Sequence, residues 1–350
     1  MEPPARARDP LYIPAAQVST DPRRAALLEC SGPGERSVVK RILVTGAAGQ
    51  IGSWLVPRLR EVYGAAAVLA TDLRERASDD NDEGPFRVVD ATDGSAVDAA
   101  VAAHDADTIY HLAAILSAVG ERDPLRAWKI NMQSLEAVLE VARARGCAVF
   151  TPSSIAAFGA GVPDPAPQDT VMRPSTIYGV SKVAGELLCD YYHRRWGVDT
   201  RGVRFPGLIS YGLPPGGGTT DWAVDIFYQA VETGRYTCFL GADSQLDMMY
   251  MPDAVDALLQ VMEADASRLV HRNAFNVTAM QLSPAVLARE ICRHIPNFTI
   301  DYDVDPVRQA IANSWPDQID DSAAREEWGW SPSFDMASMT ADMLHHVREG

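Results

Sequence analysis

A short glycine-rich run, VTGAAGQIG at residues 44–52, stands between an apolar stretch beginning at Arg41 and an amphipathic stretch carrying Leu55, Leu59 and Val62. Strand, tight turn and helix in that order leave few folds open, because a helix entered straight from a strand must pack back onto the sheet. Glycine at 46, 49 and 52 permits the tight turn and lets the backbone at Gln50 and Ile51 approach a ligand closely. The first turn of the helix then offers free N–H groups and the positive end of the helix dipole, a setting that suits a pyrophosphate. Asp72 follows about 20 residues on, at the end of the next apolar run and beside Leu73. A carboxylate there can accept hydrogen bonds from both hydroxyls of a ribose, and it disfavours a 2′-phosphate unless Arg74 neutralises it.

Apolar runs at 41–45, 67–71, 86–89, 108–111 and 148–151 alternate with helix-length segments. That alternation predicts an α/β fold of Rossmann type, a doubly wound parallel sheet covered by helices on both faces. Asp90 and Ala91, after the third run, are placed either to meet an adenine edge or to form a solvated turn. Residues 78–83 (SDDNDE) read as a solvated acidic loop. Past residue 201 the strands shorten, a glycine-rich stretch occupies 214–220, and helical periods recur at 253–263 and 283–294. The chain thus divides into an extension (1–38), a dinucleotide-binding domain (39–200) and a smaller, mainly substrate-binding C-terminal lobe (201–350) that returns to the sheet.

Composition narrows the function. A formal net charge of −16 is the wrong sign for a broad nucleic-acid surface, and no apolar run approaches the roughly 20 residues that span a membrane. The cysteines Cys30, Cys147, Cys189, Cys238 and Cys292 are scattered singly, with no pairing to one another or to histidine that would hold a metal. They read as reduced intracellular thiols. Residues 1–38 are rich in Pro, Ala and Arg and predict a flexible extension. Their arginines suit a mitochondrial presequence, but Glu2, Asp9, Asp21, Glu29 and Glu35 do not. Cytoplasm is the expected compartment, with the mitochondrial matrix as the alternative for a eukaryotic source.

A second constellation lies in STIYGVSK at residues 175–182, where Tyr178 and Lys182 are four apart at the head of a helical period and so share one helix face. Tyrosine and lysine are common helical neighbours, and a solvated pair is the default. Location changes that reading: 24 residues before Tyr178, Ser154 follows a buried-type strand, where open α/β sheets bind ligands. A phenol titrates near 10 and is a poor base at neutral pH, so a neighbouring ammonium is needed to favour its phenolate. With Ser154 donating a hydrogen bond to the reacting oxygen, Ser154, Tyr178 and Lys182 form a candidate hydride-transfer site that needs no metal.

Taken together, the glycine-rich turn, Asp72, HLAA at 111–114, Asn131, Ser154, Tyr178 and Lys182 resemble the extended short-chain dehydrogenase/reductase superfamily over about residues 40–335. DDS at 320–322 and WGWSP at 328–332 resemble its C-terminal signature. A narrower resemblance, to metal-independent L-threonine 3-dehydrogenases, rests on LSAVGE (116–121), TIYGVSK (176–182), PGGGTTD (215–221) and VDPVRQAIA (304–312). The long extension departs from that pattern; serine at 154, where the family has Ser or Thr, keeps the needed hydroxyl.

The resemblance implies NAD as cofactor, held by Gly46, Gly49, Gln50, Ile51, Gly52, Asp72, Leu73, Asp90, Ala91, Leu112, Ala113, Ala114, Asn131, Tyr178, Lys182 and Leu208. It implies oxidation of L-threonine at the β-hydroxyl to 2-amino-3-oxobutanoate, with Ser117, Ser154, Tyr178, Thr219, Thr220 and Trp315 against the substrate. A homodimer is also expected, through helices around 131–145 and 178–196. The apolar positions there are equally suited to packing on the sheet. Two rivals stay open. A nucleotide-sugar epimerase or dehydratase would share the cofactor half but needs convergent cations in the C-terminal lobe, where Arg235, Arg272 and Arg308 are dispersed. A non-catalytic NAD-sensing regulator would have no use for Ser154, Tyr178 and Lys182 together.

Overall fold

The computed structural model describes residues 41–75, 84–213 and 218–349. The extension at 1–38, the acidic run 78–83 and positions 214–217 of the glycine-rich stretch lie outside the described residues.

Strand β1 (Ile42–Thr45) leads through the glycine-rich turn into α1 (Gly52–Tyr63), followed by β2 (Val68–Asp72), β3 (Phe86–Val88), α2 (Gly94–His104) and β4 (Thr108–His111). The short α3 (Ser117–Gly120) precedes α4 (Pro124–Arg145), β5 (Ala148–Phe150), β6 (Ser153–Ser154), α5 (Ile177–Trp196), β7 (Thr200–Arg201), β8 (Val203–Phe205) and β9 (Gly207–Ile209). The rest of the chain forms α6 (Trp222–Glu232), β10 (Arg235–Cys238), β11 (Leu246–Tyr250), α7 (Met251–Glu263), β12 (Phe275–Asn276) and β13 (Met280–Leu282). It ends with α8 (Pro284–His294), β14 (Thr299–Tyr302), α9 (Pro306–Ala312), α10 (Ser322–Trp328) and α11 (Met336–Glu349).

Six parallel strands pair in the order β3-β2-β1-β4-β5-β7, the order of a dinucleotide-binding sheet. Alternate residues of β1 explain why both faces are covered. Ile42 and Val44 join a core with Leu55 and Leu59 of α1 and Leu258 of α7, while Leu43 joins the opposite core with Val97 of α2 and Val138 and Leu139 of α4. The strand order reverses between β1 and β4, opening a crevice at their carboxyl ends, where the glycine-rich turn emerges.

Beyond β7 the chain builds shorter sheets. Strand β8 pairs with β6 on one side and β12 on the other, and β9 pairs with β11, so the second half of the chain builds one wall of the same crevice. A separate apolar core around Trp222, Phe227, Tyr250, Leu287, Ile291 and Met339 supports that wall.

Candidate active site

At the floor of the crevice, Gly46 adopts φ +70°, and a Cβ there would sit 2.7 Å from the backbone nitrogen of Ala113. Only glycine lets β1 turn this tightly against the end of β4. A Cβ on Gly52 would meet the carbonyl oxygens of Gly46 and Ala47 at 2.5 Å, so the first turn of α1 closes directly on the loop. Gln50 reaches across the crevice, its Nε2 donating to Ser210 Oγ at 3.0 Å just past β9.

The catalytic candidates come from two elements. Helix α5 starts sharply because Thr176 accepts from the Gly179 N–H at 3.1 Å and Glu121 Oε1 accepts from the Ile177 N–H at 2.7 Å. Gly179 permits an approach that no other residue would, since a Cβ there would lie 2.1 Å from the Ala156 carbonyl oxygen. Tyr178 is thereby brought against the one-turn helix Ile155–Ala157 that follows Ser154. Ser154 Oγ accepts from the Ala156 N–H at 3.2 Å, which leaves its own proton for a ligand. Lys182 Nζ donates to the Pro152 carbonyl at 2.7 Å and lies 5.3 Å from the centre of the Tyr178 ring. Beneath it, the buried His111 bonds to Thr45 Oγ1 at 2.8 Å and Ser134 Oγ at 3.3 Å. Burial, and then the ammonium of Lys182, push this imidazole down to about 3, so it adds no second positive charge at neutral pH.

Ser154, Tyr178 and Lys182 line one open cleft of about 1120 Å³ together with the glycine-rich turn. Its cofactor end carries Gly46, Gly49, Gln50, Ile51, Gly52, Leu112 and Ala114; its middle carries Ser154, Tyr178, Lys182 and the stretch Phe205, Pro206, Gly207 and Leu208. Its far end carries Ser117, Thr219, Thr220, Asp221 and Trp315. Thr219 is buried, and its hydroxyl has no hydrogen-bond partner among the described residues. Trp315 is half-buried, with one side of its ring packed on the C-terminal core.

Other sequence candidates lie elsewhere. Asn131 lines an adjoining cavity with Leu112, Ala113, Ala114 and Lys182, and its carboxamide pairs with both backbone groups of Ile115 at 2.7 and 3.1 Å and holds the loop after β4. Ala113 contributes backbone against Gly46. The Asp72 carboxylate already accepts from the Ala48 N–H and from the Arg74 N–H, both at 3.0 Å, and from Arg74 Nε at 3.2 Å, so Arg74 rests on it. Leu73 is exposed beside it. Asp90 accepts from the backbone and hydroxyl of Thr92, the geometry of the solvated turn, and Ala91 is buried behind it. Sequence reasoning missed Glu121, Ile155 and Ala156. The six-residue run that includes Glu121 was singled out, but nothing in it says that the carboxylate reaches a helix start 56 positions away.

The cleft fits a dinucleotide: its cradle would be filled by any side chain at Gly46 or Gly52, and the buried Asp72 carboxylate is tied to the same turn through the Ala48 N–H. No group of three or more His, Cys, Asp or Glu among the described residues is gathered to hold a metal, and no helix there is long and apolar enough to cross a membrane.

Comparison with known proteins agrees with this geometry. The model of the NAD dependent epimerase/dehydratase family matches residues 42–278. A Staphylococcus haemolyticus protein, named an uncharacterized epimerase/dehydratase, is 53% identical over 313 residues, 89% of this chain and 98% of that one. Among solved structures, L-threonine dehydrogenase from Clostridium difficile is 53% identical with a TM-score of 0.87, covering 89% of this chain and 98% of its own. The holo form of the GalE-like L-threonine dehydrogenase from Cupriavidus necator is 49% identical with a TM-score of 0.85, covering 88% and 99%; its apo form superposes at 0.76. A nucleoside-diphosphate-sugar epimerase from Agrobacterium tumefaciens, at 22% identity, shares the fold. The chain belongs to the NAD dependent epimerase/dehydratase family of extended short-chain dehydrogenases/reductases, and its cofactor is NAD.

Proposed function

We propose that this protein oxidises L-threonine at its β-hydroxyl to 2-amino-3-oxobutanoate, without a metal. The observation that carries the reading is the joining of Ser154, Tyr178 and Lys182 to Ser117, Thr219 and Trp315 in one cleft with the glycine-rich turn. The cleft is polar at its far end yet short of cations: Lys182 is the one basic side chain among the described residues lining it. A sugar diphosphate needs several convergent cations, whereas a small zwitterion is served by hydroxyls and backbone. The identity to L-threonine dehydrogenases over nearly the whole of their length supports the same choice.

In this reading Gly46, Gly49, Gln50, Ile51, Gly52 and Asp72 hold the dinucleotide, with Leu112, Ala114 and Leu208 along its path. When bound, NAD supplies the acceptor for the hydride that leaves the carbinol carbon. Tyr178 takes the hydroxyl proton as its phenolate. Lys182 stands beside the Tyr178 ring; with one of its three N–H bonds committed to Pro152, two remain for the tyrosine oxygen and the nicotinamide ribose. Ser154, whose lone pair is engaged by Ala156, donates its proton to the oxygen that becomes a carbonyl. Thr219 and Ser117 receive the polar end of the amino acid, and Trp315 covers its methyl group. We also propose a homodimer paired through α4 and α5, where Val180, Leu187 and Tyr191 form an exposed apolar stripe at helical spacing.

Tyr178→Phe tests the mechanism. Loss of the proton acceptor lowers turnover by roughly 10²–10⁴-fold while the dissociation constant for NAD stays near that of the wild type. A variant that keeps its turnover would refute the assignment.

A further inference from the structure

Ser153, Arg204 and Asn276 stand side by side on three neighbouring parallel strands, β6, β8 and β12, in a row fixed by the sheet register. Paired residues of adjacent strands share a face, so this row faces one way. Ser154 and Phe205, the next pair in register, face the other way and line the cleft, and Ser153 is the one member of the polar row that also borders it. Helix α5 descends onto the polar row. Glu186, one turn beyond Lys182, accepts from Ser153 Oγ and from Arg204 Nε and Nη2, the latter two at 3.0 and 2.8 Å. Arg204 Nη1 donates to Asn276 Oδ1 at 3.0 Å and to the Gln168 carbonyl at 2.9 Å. Glu186 and Arg204 are 6% and 5% exposed.

An ion pair this deeply buried is a poor source of stability, because desolvating both charges offsets most of their attraction; apolar side chains of similar volume hold two elements together as well or better. Charge-assisted bonds supply something packing does not, a fixed direction and length. The close approach at Gly179 fixes the start of α5, but one to two turns further on packing is incomplete, because a small cavity lined in part by Ser153, Lys182 and Glu186 lies beside the pair. The one other polar tie between the two elements at this level is Lys182 to Pro152.

We infer that Glu186, clamped by Arg204 and Ser153, is a positioning residue that sets the spacing between β6, which carries Ser154, and α5, which carries Tyr178 and Lys182. It touches neither substrate nor cofactor. The inference rests on the proposed roles of those three residues, and it makes the polar row on the back of the sheet the gauge for the hydroxyls on its front.

Two variants test it. Ser153→Ala removes one bond and leaves the ion pair; Ser153→Ala/Glu186→Leu/Arg204→Met replaces the whole clamp with apolar groups of similar size. The expected result is a folded triple variant that melts cooperatively and binds NAD as the wild type does. Its kcat for L-threonine falls on the order of 10²-fold, with KM little changed, the signature of lost alignment. Ser153→Ala loses about tenfold in kcat at an unchanged melting temperature. Crystals of either variant would show Ser154 Oγ displaced from Tyr178 Oη. Wild-type kcat in the folded variants, or the single variant alone if the triple does not fold, overturns the inference. A wild-type chain inactive on L-threonine would sink the proposed function instead, and the displacement in the variant crystals would still decide this point.

Discussion

Thr219 lines the cleft, and its hydroxyl is buried with no partner among the described residues, an arrangement that costs stability. Thr219→Val keeps the shape and removes that cost. The account expects a fold at least as stable as the wild type by thermal melting, with KM for L-threonine raised about tenfold, the worth of one hydrogen bond to a charged ligand. An unchanged KM would remove Thr219 from the substrate site. His111 makes a prediction of a different kind. Its pKa in the fold is held down near 3 from an ordinary 6.5, so between those values the unfolded chain binds the extra proton. The residue costs nothing above pH 6.5 and lowers stability progressively as pH falls below it, by at most about 1.4 kcal/mol per pH unit. Asp247, raised to about 6 by burial, acts with the opposite sign: its contribution is full below 3.8 and is lost as pH rises through 6. Comparing wild type with His111→Gln cancels Asp247. Urea midpoints should converge or cross in acid as the wild type alone loses stability; parallel curves would contradict the burial of a neutral imidazole.

At the scale of elements, the approach of α5 to the turn after Ser154 depends on Gly179. Gly179→Ala drives a methyl group into the Ala156 carbonyl. It should cost about 1–3 kcal/mol in stability and on the order of 10²-fold in kcat, measured by denaturant titration and initial rates. Wild-type values in both would show that the helix start is compliant. This contact also marks where the sequence stops being legible. The strands β1, β2, β4 and β5 could be read because burial on both faces writes continuous apolar runs, and the glycine-rich turn could be read because strand and helix flank it. Strands β6, β8 and β12 are two or three residues long and owe their pairing to partners 50 or more positions apart, which no local period encodes. Ser154, Tyr178 and Lys182 were legible as residue types at a fixed spacing. The partners that orient them, Glu121, Pro152, Glu186 and Arg204, read along the chain as ordinary charges and a proline. Asn131 was legible as part of the motif, but its pairing with the Ile115 backbone, 16 positions away, was not.

For the molecule as a whole, residues from both halves of the chain line one crevice, carried by the six-stranded sheet and by the two three-stranded sheets that hold β6, β8 and β9. The exposed stripe of Val180, Leu187 and Tyr191 lies on the helix that carries Tyr178, at 40%, 59% and 50% exposure. If that stripe pairs two copies, sedimentation will give a dimer, and Leu187→Glu will give a monomer; a wild-type monomer would contradict the proposed assembly. The central claim is the reaction itself. Purified protein with NAD should form NADH from L-threonine, and equally in the presence of a chelator, while D-threonine, L-serine and UDP-glucose give little or none. No NADH from L-threonine, together with conversion of the nucleotide sugar, would contradict the account and leave only the family standing.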